Sequence, residues 1–226
     1  EGAISLVSAV QDSDVRKVVA ISSDKAVAPT TIYGASKFAM ERILLRADHK
    51  TGTRFSIVRY ANILNSRSSV APLFLRLRET GVLTLTDPEM TRFSIVMREG
   101  VDLVMYALDH GWGGDLICPI SPSYRVRDMA MAIAPKAEHR VIGARPGEKI
   151  HEAMFSITEA PFVARNGGYY IVAPQVGRWT LKDYCTNTPG AAPLDRLFEY
   201  ESGSNADWLG VEDIRALVSR EFGVEC

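Results

Sequence analysis

Apolar positions recur with helical spacing over residues 2–11, from near Ile32 to about His49, over Val70–Thr80 and over Met97–Leu108. That period predicts four helices, each with one face toward a core. Between them lie runs of strand length and composition: Val18-Val-Ala-Ile21, Arg54-Phe-Ser-Ile-Val-Arg-Tyr60 and Asp115-Leu-Ile-Cys118. Thr51-Gly-Thr53 ends the second helix, Gly81 follows the third, and Gly111-Trp-Gly-Gly114 turns the chain into the last strand. Val18–Ile21 shows no polar alternation, which predicts a buried parallel strand. Strands alternating with helices predict an α/β fold with a parallel sheet. Beyond Thr158 the pattern weakens. Asn166–Pro189 is punctuated by Gly, Pro and Trp and gives no clean periodicity.

Composition changes this picture little. With 226 residues, 46% hydrophobic and 23% charged, the chain can bury a sizeable core in one or two domains. A net charge of −1 gives no basic footprint for nucleic acid. Cys118, Cys185 and Cys226 are odd in number and far apart, so they suggest neither a disulfide framework nor a zinc site. His49, His110, His139 and His151 form no metal-spaced pair, and no metal is expected. No apolar run approaches the ~20 residues that span a bilayer.

The chemistry concentrates in one stretch. Ser22-Ser-Asp-Lys25 sits at the carboxyl end of the Val18–Ile21 strand, the edge at which open α/β sheets bind ligands. Tyr33-Gly-Ala-Ser-Lys37 follows on the next helix, with its phenol and ammonium at i and i+4 and so on one face. A neighbouring ammonium favours phenolate over phenol, as needed to take a proton from an alcohol while a hydride leaves its carbon. Tyr-x-x-x-Lys alone is common. The strand-end hydroxyl, carboxylate and second ammonium make it specific.

Together with four further blocks, this stretch resembles the extended short-chain dehydrogenases/reductases, and within them the 5-inverting UDP-N-acetylglucosamine 4,6-dehydratases. The blocks are Arg59-Tyr-Ala-Asn-Ile-Leu-Asn-Ser-Arg67, Leu85-Thr-Asp-Pro-Glu-Met-Thr-Arg-Phe93, Ile142-Gly-Ala-Arg-Pro-Gly-Glu-Lys-Ile-His-Glu152, and Tyr200-Glu-Ser-Gly-Ser-Asn205 with Trp208-Leu209. They run through nearly the whole chain in the family's order. The resemblance implies a doubly wound, Rossmann-like parallel sheet with a smaller mixed α/β lobe. Residues 1–62 and 93–120 would form the remaining part of the dinucleotide-binding domain, and 63–92 with 121–226 the sugar-nucleotide lobe. No Gly-x-Gly-x-x-Gly follows an N-terminal strand, so the chain is expected to be a fragment lacking the Gly-rich nucleotide-binding half.

What the resemblance implies about chemistry follows from the reaction. Removing water across C5–C6 of a hexose first requires oxidation at C4, which makes the C5 proton acidic; a base then removes it and an acid protonates the leaving C6 oxygen. Hydride return to C6 gives UDP-2-acetamido-2,6-dideoxy-β-L-arabino-hex-4-ulose, a step in nucleotide-sugar and polysaccharide biosynthesis. Ser23, Tyr33 and Lys37 match the oxidation set, with Tyr33 taking the O4 proton and Tyr33, Lys37 and Tyr60 contacting the cofactor, NADP or NAD. Lys25 matches the C5 base and Asp24 the C6 acid, and these two roles can be exchanged. Asn62, Arg67, Arg92, Arg145 and Glu148 match contacts to the UDP-sugar. The implied enzyme is cytoplasmic, has no membrane or nucleic-acid partner, and is a homo-oligomer when full length. Two positions depart from the family: Ser23 replaces its usual Thr and Ser68 its usual Gly. Tyr33 itself points to the short inverting subgroup, because the longer membrane-attached relatives carry Met there. Three competitors stay open. A UDP-hexose 4-epimerase would share Tyr33 and Lys37 without needing Asp24 and Lys25; the others are a 5,6-dehydratase and a non-catalytic sugar-nucleotide-binding module.

Overall fold

A computed structural model describes residues 1–48, 52–67 and 69–225. His49, Thr51, Ser68 and Cys226, which figure in the expectations above, lie outside the described residues. In chain order the elements begin with helix α1 (Gly2–Gln11), strand β1 (Lys17–Ser23), helix α2 (Ile32–Asp48), and strands β2 (Arg54–Tyr60) and β3 (Asn62–Ile63). Next come α3 (Val70–Leu77), β4 (Val82–Leu85), β5 (Thr91–Ile95), α4 (Met97–His110), β6 (Leu116–Pro119), β7 (Ser123–Arg125), α5 (Val126–Ile133) and β8 (Glu138–Val141). The last are β9 (Ala153–Phe155), β10 (Val163–Asn166), β11 (Tyr169–Val172), α6 (Leu181–Asn187), β12 (Ala192–Pro193), β13 (Tyr200–Glu201) and α7 (Val211–Phe222).

The chain folds into two compact units. The first comprises Glu1–Tyr60, Val101–Ile120 and Ala153–Tyr200. Its sheet runs β1-β2-β6-β11-β10-β12. β1, β2 and β6 are parallel, whereas β11, β10 and β12 add antiparallel strands. The core gathers Val58, Leu103, Ile117, Ile171, Trp179 and Tyr184. β1 is parallel as expected but is not fully buried: it pairs only with β2 among the described strands, and Ile21 is 49% exposed.

Residues 153–200 belong to this first unit. β10 and β11 form a hairpin across Gly167-Gly168, and β11 docks antiparallel onto β6. Two glycines between strand-like runs are a hairpin signal in their own right. The aromatics that blurred the periodicity are core contacts: Trp112 stacks edge-on to Trp179 and Tyr184, and Trp179 Nε1 donates to the Gly113 carbonyl at 2.7 Å.

The second unit comprises Ala61–Gly100, Ser121–Glu152 and the residues from Glu201. It holds the β3-β5-β7 sheet and the parallel β4-β8 pair. Its core includes Phe74, Leu83, Met90, Tyr124, Met129, Ile133, Ile214 and Val218. Met90 and Met129 are core residues, but Met131 is 40% exposed. No helix among the described residues is long and apolar enough to cross a membrane.

Candidate active site

In the first unit, β1 delivers Ser23 to its carboxyl end and a 3-10 turn over Asp24–Ala26 follows at once. Asp24 is 2% exposed, and its Oδ1 accepts from Ser23 Oγ at 2.7 Å and from Lys25 Nζ at 3.0 Å. Ser23 Oγ also accepts the Lys25 backbone N–H at 3.2 Å. One carboxylate oxygen thus joins the three side chains that the sequence singled out. Asp24 Oδ2 is buried with no hydrogen-bond partner, as is Ser22 Oγ. Because Asp24 is so enclosed, what reaches a ligand from this cluster is the Ser23 hydroxyl and the Lys25 ammonium, whose side chain is 40% exposed.

Helix α2 brings Tyr33 and Lys37 to the same place. Thr31 Oγ1 accepts the Gly34 N–H at 3.1 Å and so caps the helix. Gly34 is required here: a Cβ would stand 2.3 Å from the Lys25 carbonyl oxygen, so only glycine lets the helix start against the Asp24–Ala26 turn. Between them, Ala28 holds φ 41°, a left-handed backbone that non-glycine residues seldom adopt and that clusters at functional sites. Tyr33 is 53% exposed, and Lys37 Nζ lies 5.9 Å from its ring centroid while donating to the Ile21 carbonyl at 3.0 Å. Tyr60 sits opposite Ser23 in the parallel β1–β2 register, and partial burial raises its phenol pKa.

The five residues expected to hold a UDP-sugar all line one cavity of the second unit, about 330 Å³ in volume. Asn62, Arg67, Arg92, Arg145 and Glu148 are joined there by Arg76, Thr86 and Tyr124. Arg92 is committed to protein: it donates to the Thr91 carbonyl at 2.6 Å and the Ile150 carbonyl at 3.1 Å. By contrast, the guanidiniums of Arg67, Arg76 and Arg145 make no hydrogen bond or ion pair with the described residues. Glu148 accepts the Arg145 backbone N–H at 2.9 Å. Asn62 Oδ1 is buried without a partner. Four arginines against one glutamate leave the cavity cationic, which suits phosphate oxygens.

Sequence reasoning missed Arg76, which follows Arg67 by nine positions on the otherwise apolar α3. It also left Glu41 and Arg59 without a role. Glu41 was accessible to it, because it continues the Tyr33, Lys37 spacing by one more turn.

Residues 1–174 match the model of a family described as polysaccharide biosynthesis protein. A UDP-N-acetylglucosamine 4,6-dehydratase (inverting) of Campylobacter jejuni is 33% identical over 98% of this chain and 69% of its own length. The chain belongs to this family. A UDP-glucose 4-epimerase of Rickettsia conorii is also similar, at 38% identity over 96% of the chain and 65% of its own length. Among solved structures, Pen from Bacillus thuringiensis superposes with a TM-score of 0.86 at 26% identity, covering 99% of this chain and 68% of that one. The NAD complex of Thermus thermophilus UDP-glucose 4-epimerase shares the fold, with a TM-score of 0.56 over 65% of the chain and 58% of its own at 22% identity. The family fold is thus the Rossmann-like α/β fold of the extended short-chain dehydrogenases/reductases.

Proposed function

We propose that the protein is a UDP-N-acetylglucosamine 4,6-dehydratase that inverts C5, working with NADP or NAD. The observation that carries this reading is the Ser23–Asp24–Lys25 cluster beside Tyr33 and Lys37. Oxidation at C4 needs only a hydroxyl, a phenol and an ammonium; a carboxylate paired with a second ammonium is what elimination adds.

In this reading the exposed Tyr33 phenolate takes the O4 proton, and Ser23 steadies the same oxygen. Lys37 and Tyr33, with Tyr60 beside Ser23, present donors at the strand end that fit the ribose of a nicotinamide nucleotide. When bound, that cofactor supplies reversible hydride acceptance. The Lys25 amine, in its unprotonated form, removes the C5 proton. Asp24, buried behind Ser23 and hydrogen-bonded to it, is the acid of the elimination: the departing C6 oxygen takes its proton through the Ser23 hydroxyl, and water leaves. In the second unit, Arg67, Arg76 and Arg145 offer free guanidiniums for the diphosphate of the UDP-sugar, Glu148 an acceptor for its ribose, and Asn62 an unsatisfied oxygen.

The complete gene product should convert UDP-N-acetylglucosamine to a 4-keto, 6-deoxy sugar. In D2O that product should carry deuterium at C5, L-arabino geometry at first turnover, and hydrogen moved from C4 to C6. Similarity to 4-epimerases supports one competitor, and the same spectra decide it. Formation of the C4 epimer with no deuterium at C5 would replace the dehydratase reading, because epimerisation never touches that proton.

A further inference from the structure

Glu41 lies one turn beyond Lys37 on α2, so Tyr33, Lys37 and Glu41 share a helix face. Tyr33 is exposed and Lys37 partly so, yet Glu41 is wholly buried. It receives Arg59 of β2 through two parallel bonds, Nε to Oε1 at 2.9 Å and Nη2 to Oε2 at 2.7 Å. On its other side Arg59 donates to Glu159 twice, Nη1 to Oε2 and Nη2 to Oε1, both at 2.9 Å. Its remaining Nη1 hydrogen goes to the Met154 carbonyl at 2.9 Å. All five guanidinium hydrogens are therefore used, in one orientation, at 1% exposure.

Stability alone does not account for this cluster. Well-packed apolar residues of similar volume often replace a buried ion cluster without loss of stability, because desolvating the charges offsets their attraction. Arg59 follows Phe55, Ile57 and Val58 along β2, and all four are buried. What the ions add is direction. Apolar packing tolerates sliding, whereas a five-donor fork satisfied by fixed acceptors does not.

The elements it joins are those that matter for the chemistry. Glu41 fixes the helix that presents Tyr33 and Lys37. Met154 belongs to β9, which packs on the Asp24–Ala26 turn. Glu159 is itself held by the Ser156 N–H at 3.0 Å and by Arg42 at 3.4 Å. We propose that Glu41, Arg59 and Glu159 form a positioning device. It sets the phenol and ammonium of α2 against the Ser23–Asp24–Lys25 turn. As a contribution to catalysis this rests on the dehydratase reading above.

The test uses the complete gene product with Glu41→Leu, Arg59→Met and Glu159→Leu combined, which removes every charge of the cluster together. The variant should stay folded. Its kcat for dehydration should fall by about 10²-fold, the order expected when reacting groups are displaced by an ångström, with KM unchanged. A fluorotyrosine placed at position 33 should show a displaced or doubled fluorine NMR line relative to wild type. Should the triple variant not fold, Glu41→Gln, which keeps one acceptor for Arg59, carries the same measurements. A folded variant with an unmoved single line overturns the positioning role whatever its activity. If wild type fails to dehydrate UDP-N-acetylglucosamine, the dehydratase reading falls, while the fluorine line still decides the positioning.

Discussion

Arginine does opposite work in the two units. Arg59 of the first is buried and has every guanidinium donor satisfied. Arg67, Arg76 and Arg145 of the second line a cavity, and their guanidiniums donate to nothing among the described residues. A guanidinium whose hydrogen bonds are complete can only hold its surroundings in place. One with open donors facing a cavity is prepared for a ligand. Bonding state, more than residue type, separates architecture from recognition. The contrast makes opposed predictions for the two regions.

The largest effect should follow from Arg59→Met alone, which strands Glu41 and Glu159 as buried carboxylates. Removing one member of a buried ion cluster costs about 3–5 kcal/mol. Urea unfolding of the complete gene product should show this as a lower midpoint for the transition that includes the first unit. Arg145→Ala should stay within about 0.5 kcal/mol of wild type, as surface changes away from special features do. Equal losses from both variants would abolish the distinction.

Next in size is Lys25→Ala. Loss of a positioned base should slow dehydration by about 10²-fold or more. UDP affinity, assigned to the other unit, should not change. A variant that dehydrates at the wild-type rate would remove Lys25 from the mechanism. The mirror experiment is Arg67→Ala or Arg145→Ala, each of which should weaken UDP binding in calorimetry by about tenfold. That is the lower end of a charge-assisted hydrogen bond, about 1.5 kcal/mol. Unaltered binding in both would mean that the free guanidiniums serve some other purpose.

How much of this was legible in the sequence differs between the regions for physical reasons. Strand β2 fell where its β-branched run put it, and helices α1, α2 and α4 fell within a few residues of their periodic faces, although α1 buries only Val10. The third helix was expected to run to Thr80, but α-helical geometry ends at Leu77 and a 3-10 turn completes it. The mixed half of the sheet was not legible. Its strands are four residues or shorter, and the core there is filled by Trp112, Trp179 and Tyr184, which carry no period. Ser23, Asp24, Lys25, Tyr33 and Lys37 could be named from a strand end and a helix spacing, both local features. That Asn62, Arg67, Arg92, Arg145 and Glu148 share one cavity is a product of tertiary folding, and only family resemblance anticipated it. The Glu41–Arg59–Glu159 contact spans 118 residues of chain between its carboxylates, and no local pattern encodes such a pairing.

The smallest effect is a pH dependence, and it bears on whether the buried cluster is ionised as drawn. Burial alone would raise the Glu159 carboxyl pKa, but the hydrogen bonds and charge of Arg59, with help from the Ser156 N–H and Arg42, hold it below the ordinary range. A carboxyl depressed in the folded state binds protons more readily when unfolded. Its contribution to stability is therefore complete above the ordinary glutamate value of about 4.3 and disappears as the pH falls through the lower folded value. Other groups titrate nearby with mixed signs. Asp183 is depressed by its hydrogen bonds to Thr180, whereas burial raises Asp115, which loses stability as the pH rises. Wild type alone thus reports a composite. The difference between wild type and Glu159→Gln isolates the one carboxyl, since Asp183 and Asp115 are common to both. Unfolding free energies measured from neutral pH down to about pH 3 should converge as the pH falls below the glutamate range. A constant gap across that range would mean that Glu159 does not ionise against Arg59. The contrast between the saturated arginine and the open ones would then rest on geometry without charge.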